Sequence, residues 1–186
     1  MMQINSYDGF LAAAIAASKA GDSAGAVRDY LQAHASRPEA MEPVFLLAAE
    51  YASLGEIDKA EEAFALAVVR APGFHLARFQ LGLLQLTHAR PALANLTWES
   101  LLDGVGYWSP LTRGYLHAHD GRLPEALKEL RSAEALIGDN APLLSDVRET
   151  IRRLESNAEQ ADVKPSEEAD VASQHVLLSG YLSQSH

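Results

Sequence analysis

The sequence predicts an all-α fold, a solenoid of four helix pairs followed by a capping helix and a flexible tail, and three observations carry that prediction. Apolar residues recur three and four apart: Val44, Leu47, Ala48 and Tyr51 share one helical face, and Ala60, Phe64 and Ala67 share a face of a second helix. Turn residues fall in phase, with Gly21, Gly55 and Gly121 marking three turns and Ala89 standing in the remaining one. Each is followed at one offset by an alanine, Ala26, Ala60, Ala94 and Ala126, and then by a large residue, Tyr30, Phe64, Trp98 and Leu130. A last set, Ala33, Ala67, Leu101 and Ala133, completes the pattern. One alanine reports helix propensity, whereas four in phase report a repeat.

Residues 1–6 read as a ragged lead-in, with Ser6 or Asp8 placed to cap the first helix. The first repeat, 7–40, sets Phe10, Ala13, Ala14 and Ala17 on a packing face, turns at Gly21 and closes at Pro38. The second, 41–74, turns at Gly55, where φ > 0 lets the first helix stop, while Glu56 and Asp58 place negative charge at the start of the next. Pro72 ends it. The third, 75–106, lacks a turn glycine, opens its second helix at Pro91 and is about two residues shorter. The fourth, 107–140, opens at Tyr107 and Trp108 with Ser109 before Pro110 as the expected capped start; Arg113 and His117 occupy places that are apolar in earlier repeats. A helix over 141–157 then presents Leu143, Leu144, Val147, Ile151 and Leu154 on one side, the pattern of a cap. Beyond it, 158–186 reads as an acidic, largely disordered linker broken at Pro165 and a short apolar group, Val176, Leu177, Leu178, Tyr181 and Leu182.

This set of small and large residues in units of about 34 resembles the tetratricopeptide repeat, and Leu81 with Gly82 is the most family-like pair. The resemblance covers roughly 7–140. It implies a right-handed superhelical stack in which the first helix of each pair lines a concave groove. Carried over by position, it implies partner contacts at Leu11 and Ile15; Phe45 and Ala49; Leu76, Phe79, Leu83 and Leu86; and Trp108, Leu111 and Tyr115. That groove is apolar, with Phe79 and Leu83 expected as accessible central anchors. Family members that clamp a C-terminal carboxylate present Lys, Asn and Arg, and the matching places here are Leu11, Ile15, Leu46, Leu76 and Gln80. A carboxylate would find no partner there.

Composition narrows the function classes. The net charge of −10 and the absence of a Lys or Arg cluster argue against a nucleic-acid surface. No cysteine is present, which excludes disulfides, thiolate metal sites and cysteine nucleophiles, and suits a cytoplasmic location. The apolar run Phe10 to Ala17 is too short for a membrane span. Among seven histidines, His117, His119 and Asp120 cluster most densely, but residues two apart on a helix point about 200° apart. Neither a phosphate loop nor a nucleophile elbow is found. The sequence therefore reads as a non-enzyme with no cofactor and no metal site, an adaptor or assembly factor for a partner with an apolar or amphipathic segment. The alternatives are a chaperone of a bacterial export system and, less favoured, an enzyme or metal-dependent regulatory subunit acting through Arg113, His117 and His119. Self-association through the tail is a further expectation.

Overall fold

The computed structural model describes residues 6–163, with side chains as far as 158. The expected tail beyond Val163 lies outside the described residues. Among the described residues are nine helices and no strand: α1 (Tyr7–Lys19), α2 (Ser23–Ser36), α3 (Glu42–Ser53), α4 (Ile57–Arg70), α5 (His75–Thr87), α6 (Pro91–Leu102), α7 (Trp108–His119), α8 (Leu123–Leu136) and α9 (Ala141–Val163). The capping helix thus runs six residues past its expected end at Asn157. Those residues, acidic and without Pro or Gly until Pro165, can continue a helix whatever their polarity.

The chain divides into two compact units, one ending at Leu84 and the other beginning at Gln85. In the first, α1 packs on α2, α2 on α3 and α3 on α4. Ser6 caps α1 by accepting a hydrogen bond from the Gly9 amide (3.2 Å), and Asp22 caps α2 by accepting from Gly25 (2.9 Å). Ala26, Tyr30, Ala33, Ala60, Phe64 and Ala67 are all buried. Phe45 fills the space beside them, its ring 5.7 Å from Phe64 and edge-on to Phe74 at 5.0 Å. Glu50 is buried too, and the Ser18 hydroxyl donates to its carboxylate. Burial, and then the charge of Glu50, push the Tyr30 phenol well above its ordinary pKa.

In the second unit α6 packs on α7, α7 on α8 and α8 on α9. Ala94, Trp98, Leu101, Ala126, Leu130 and Ala133 repeat the buried set, and Ile137, Leu143, Val147, Ile151 and Leu154 extend it to α9. Ser109 departs from expectation. It lies inside the first turn of α7, whose N-cap is Tyr107, and its buried hydroxyl donates to the Leu102 carbonyl at 2.7 Å. Instead of capping its own helix, Ser109 satisfies a carbonyl at the end of the preceding one.

The phase of the repeat is written in the backbone. Gly21, Gly55, Ala89 and Gly121 all take positive φ, at 77°, 74°, 57° and 72°. The amide after each reaches back across the turn: Asp22 to Ala17, Glu56 to Tyr51, Arg90 to Gln85 and Arg122 to His117, each at 2.9 Å. The same bond pattern is therefore built four times, once with an alanine where glycine is expected.

Candidate functional site

The eleven residues carried over as groove positions separate by burial. In the first unit Phe45, Ala49, Phe79 and Leu83 are buried, while Leu11, Ile15 and Leu76 remain partly exposed. In the second unit Leu86 and Leu111 are buried, while Trp108 and Tyr115 are partly exposed. Phe79 is 0% exposed, so the expectation that it stands open as a central anchor does not hold, and a Glu in its place would bury a charge. The cause lies in the composition of α3 and α5. α3 is buried continuously from Pro43 to Glu50, and α5 from Phe79 to Leu86. These stretches are largely apolar and bury even their polar residues, Glu50, Gln80 and Gln85, so periodicity cannot distinguish a covered face from an open one.

α1 behaves differently. From Gly9 to Ser18 it carries no charged residue, yet it buries only Ala14 completely. Leu11 and Ile15, one turn apart, lie together on the part-exposed side. In the second unit the Trp108 ring packs against Tyr107 at 4.7 Å between centroids. Tyr115 points its hydroxyl to Thr150 on α9 at 3.2 Å, and burial raises its pKa. These two aromatics are therefore held by neighbours while keeping part of their surface open.

The polar residues singled out in α7 do not assemble a reaction centre. His119 is exposed, His117 is half-buried, and the Arg113 guanidinium donates to the Ser109 hydroxyl and to the Leu102 carbonyl. Among the described residues no three of His, Asp and Glu gather as metal ligands, and no helix is long and apolar enough to cross a membrane. Elsewhere, the Arg70 guanidinium donates to the His34 ring nitrogen at 3.3 Å; burial and then that positive charge hold the His34 pKa below its ordinary value. One surface feature was missed by the sequence reading, the exposed leucines Leu93 and Leu96 on α6. The signal was present: α6 holds a single charged residue, Glu99, where α4 and α8 hold several.

With this geometry in view, no family model matches the chain, and no curated protein matches it. Solved structures do. The chain is similar to a fragment of MamA, residues 41 to the end, from Desulfovibrio magneticus RS-1, at 13% identity and a TM-score of 0.59 over 87% of this chain and 97% of that one. It is similar to a tetratricopeptide repeat protein from Parabacteroides merdae ATCC 43184, at 17% identity and a TM-score of 0.62 over 91% of this chain and 69% of that one. A double mutant of the RS-1 MamA gives 15% identity and a TM-score of 0.59, over 83% of this chain and 97% of the other. At such identities the likeness is one of fold, and the fold of this chain is of the tetratricopeptide-repeat type.

Proposed function

We propose that the chain is a non-enzymatic protein-interaction module, an adaptor or assembly factor that holds an apolar or amphipathic segment of a partner protein. The observation that carries this reading is α1, uncharged from Gly9 to Ser18, whose Leu11 and Ile15 are left part-exposed while only Ala14 is sealed. Leu76 in the same unit, and Trp108 and Tyr115 in the other, are further part-exposed apolar residues on the first helices of their pairs. Apolar surface of this kind, with no lysine or arginine among its residues, suits the apolar face of an amphipathic helix better than a carboxylate.

The test compares capture of partners by the wild-type chain and by Leu11→Glu combined with Ile15→Glu. The expected result is loss of the captured protein from the variant while circular dichroism and melting temperature stay close to wild type, because neither side chain is fully buried. Undiminished capture by the folded variant would exclude α1 as the contact surface. If the captured protein is also insoluble or degraded in cells lacking this chain, the role is that of a chaperone rather than a stable adaptor.

A further inference from the structure

α6 combines exposed apolar side chains with a single charged residue, Glu99, whereas α4, which also exposes Leu66 and Val69, carries several charges. Leu96 is 69% exposed and Leu93 39%, and Val105, in the loop that follows, is 96% exposed. Beside Leu96 lies a shallow depression whose walls include Ala92, Asn95 and Glu99. The helix thus carries a projecting leucine, Leu96, at the edge of a shallow depression, with Leu93 one turn away. That combination allows it to pair with itself about a two-fold axis.

The charges on α6 argue for a second copy of this chain as the occupant. α6 has no acidic residue in its first turn and no basic residue in its last. Its negative groups, Glu99 and the C-cap Asp103, sit at the end where the helix dipole is already negative, an unfavourable placement within one molecule. Antiparallel pairing reverses this. A two-fold axis beside Asn95 lays Leu96 of each copy over Ala92 and Leu93 of the other. The same register brings Glu99 to the positive N-terminal end of the opposing helix, which begins at Arg90 and Pro91. Leucine contact and charge complementarity are therefore met in one arrangement. The formal charge of −10 adds a selective condition: two copies approach most easily where charge is sparse, and α6 bears only Glu99.

We propose that α6 is a self-association surface through which two copies of this chain form an antiparallel, two-fold dimer. One helix a side gives a small interface, so the dimer should be weak and its population should depend on concentration. Sedimentation equilibrium of the full chain over a concentration series, up to about 1 mM, reads it directly. The expected result is a reversible monomer–dimer equilibrium in the wild type and a monomer at all concentrations for Leu96→Glu. Glu99→Lys should weaken the dimer by about tenfold, because it sets a positive charge against a helix N-terminus twice per dimer. Val69→Glu, on the exposed side of α4, should leave association unchanged, and all three variants should melt as the wild type does because the residues are exposed. A wild-type chain that stays monomeric overturns the proposal. So does a dimer that survives Leu96→Glu, or equal loss with Val69→Glu.

Discussion

Ala89 holds a backbone conformation that its three counterparts leave to glycine, with φ at 57° and the turn's hydrogen bonds intact. An L-residue in that region suffers a close approach of its Cβ to the carbonyl, worth about 1–2 kcal/mol, partly offset because glycine has more freedom to lose on folding. Ala89→Gly should therefore stabilise the chain by about 0.5–1 kcal/mol, raising Tm by roughly 2 °C in a thermal melt. A fall in Tm would mean that the methyl group makes a contact worth more than the strain. His34 gives a second prediction. Its folded pKa is lowered, so the unfolded chain binds the proton more tightly. The contribution is fully present above the unfolded pKa of about 6.5 and is lost as pH falls through the folded value. The structural causes are burial of the ring and, after it, the Arg70 guanidinium, which a protonated ring would meet as a second cation. His34→Gln should then flatten the loss of stability between about pH 7 and pH 5 relative to wild type. Identical pH profiles for the two proteins would remove His34 as a contributor.

At the scale of the element, each helix pair is set by how closely its two members approach, and Gly114 lets α7 lie close against α8. A Cβ added to Gly114 would meet Leu130 Cγ at 2.7 Å and its Cδ2 at 2.8 Å, with the Leu130 backbone nitrogen at 3.3 Å. The branch point of a fully buried leucine cannot swing aside as a side-chain end can. Gly114→Ala should destabilise by about 1–2 kcal/mol in urea unfolding even though alanine is the better helix former, because overpacking outweighs the propensity gain. A stabilised variant would show that α7 can shift away from α8 at little cost. These pairings were legible in the sequence wherever small and large residues alternate in phase: Ala26 with Tyr30, Ala60 with Phe64, and Ala94 with Trp98 recur at one spacing and are all buried. Burial of α3 and α5 on nearly all sides was not legible. α3 and α5 have apolar residues on every side and bury even Glu50, Gln80 and Gln85, so the spacing that identifies them as helices does not tell which side stays open, and Phe45 and Phe79, expected at the groove, are buried. The role of Ser109 was hidden for a related reason. A serine near a helix start reads as a cap, and only the fold brings the Leu102 carbonyl within its reach.

Across the whole molecule, stability accumulates from one helix layer to the next, since in a repeat chain each layer chiefly contacts its neighbours. The last layer of the second unit is α9, which contributes Leu143, Val147, Ile151 and Leu154 to the core and accepts or donates the Tyr115 hydrogen bond through Thr150. Two ion pairs also tie it to α8, Arg148 with Glu134 at 2.7 Å and Arg131 with Glu155 at 2.5 Å. Both pairs are partly exposed, so they fix the register of α9 more than they stabilise it. Burial of four aliphatic side chains contributes about 1.5–3 kcal/mol apiece before entropy is counted, comparable in sum to the whole stability of an ordinary domain. Truncation after Asn140 should therefore do more than remove one helix. Ile137 and the apolar side of α8 would be left open, the melting transition should drop and broaden, and dye binding to exposed apolar surface should appear. Charge reversal at Arg131 and Arg148, with α9 kept, should change melting by a degree or two at most. If truncation instead leaves melting and dye binding unchanged, α9 does not close the core of its unit, and the stack must be stable with its last apolar layer facing water.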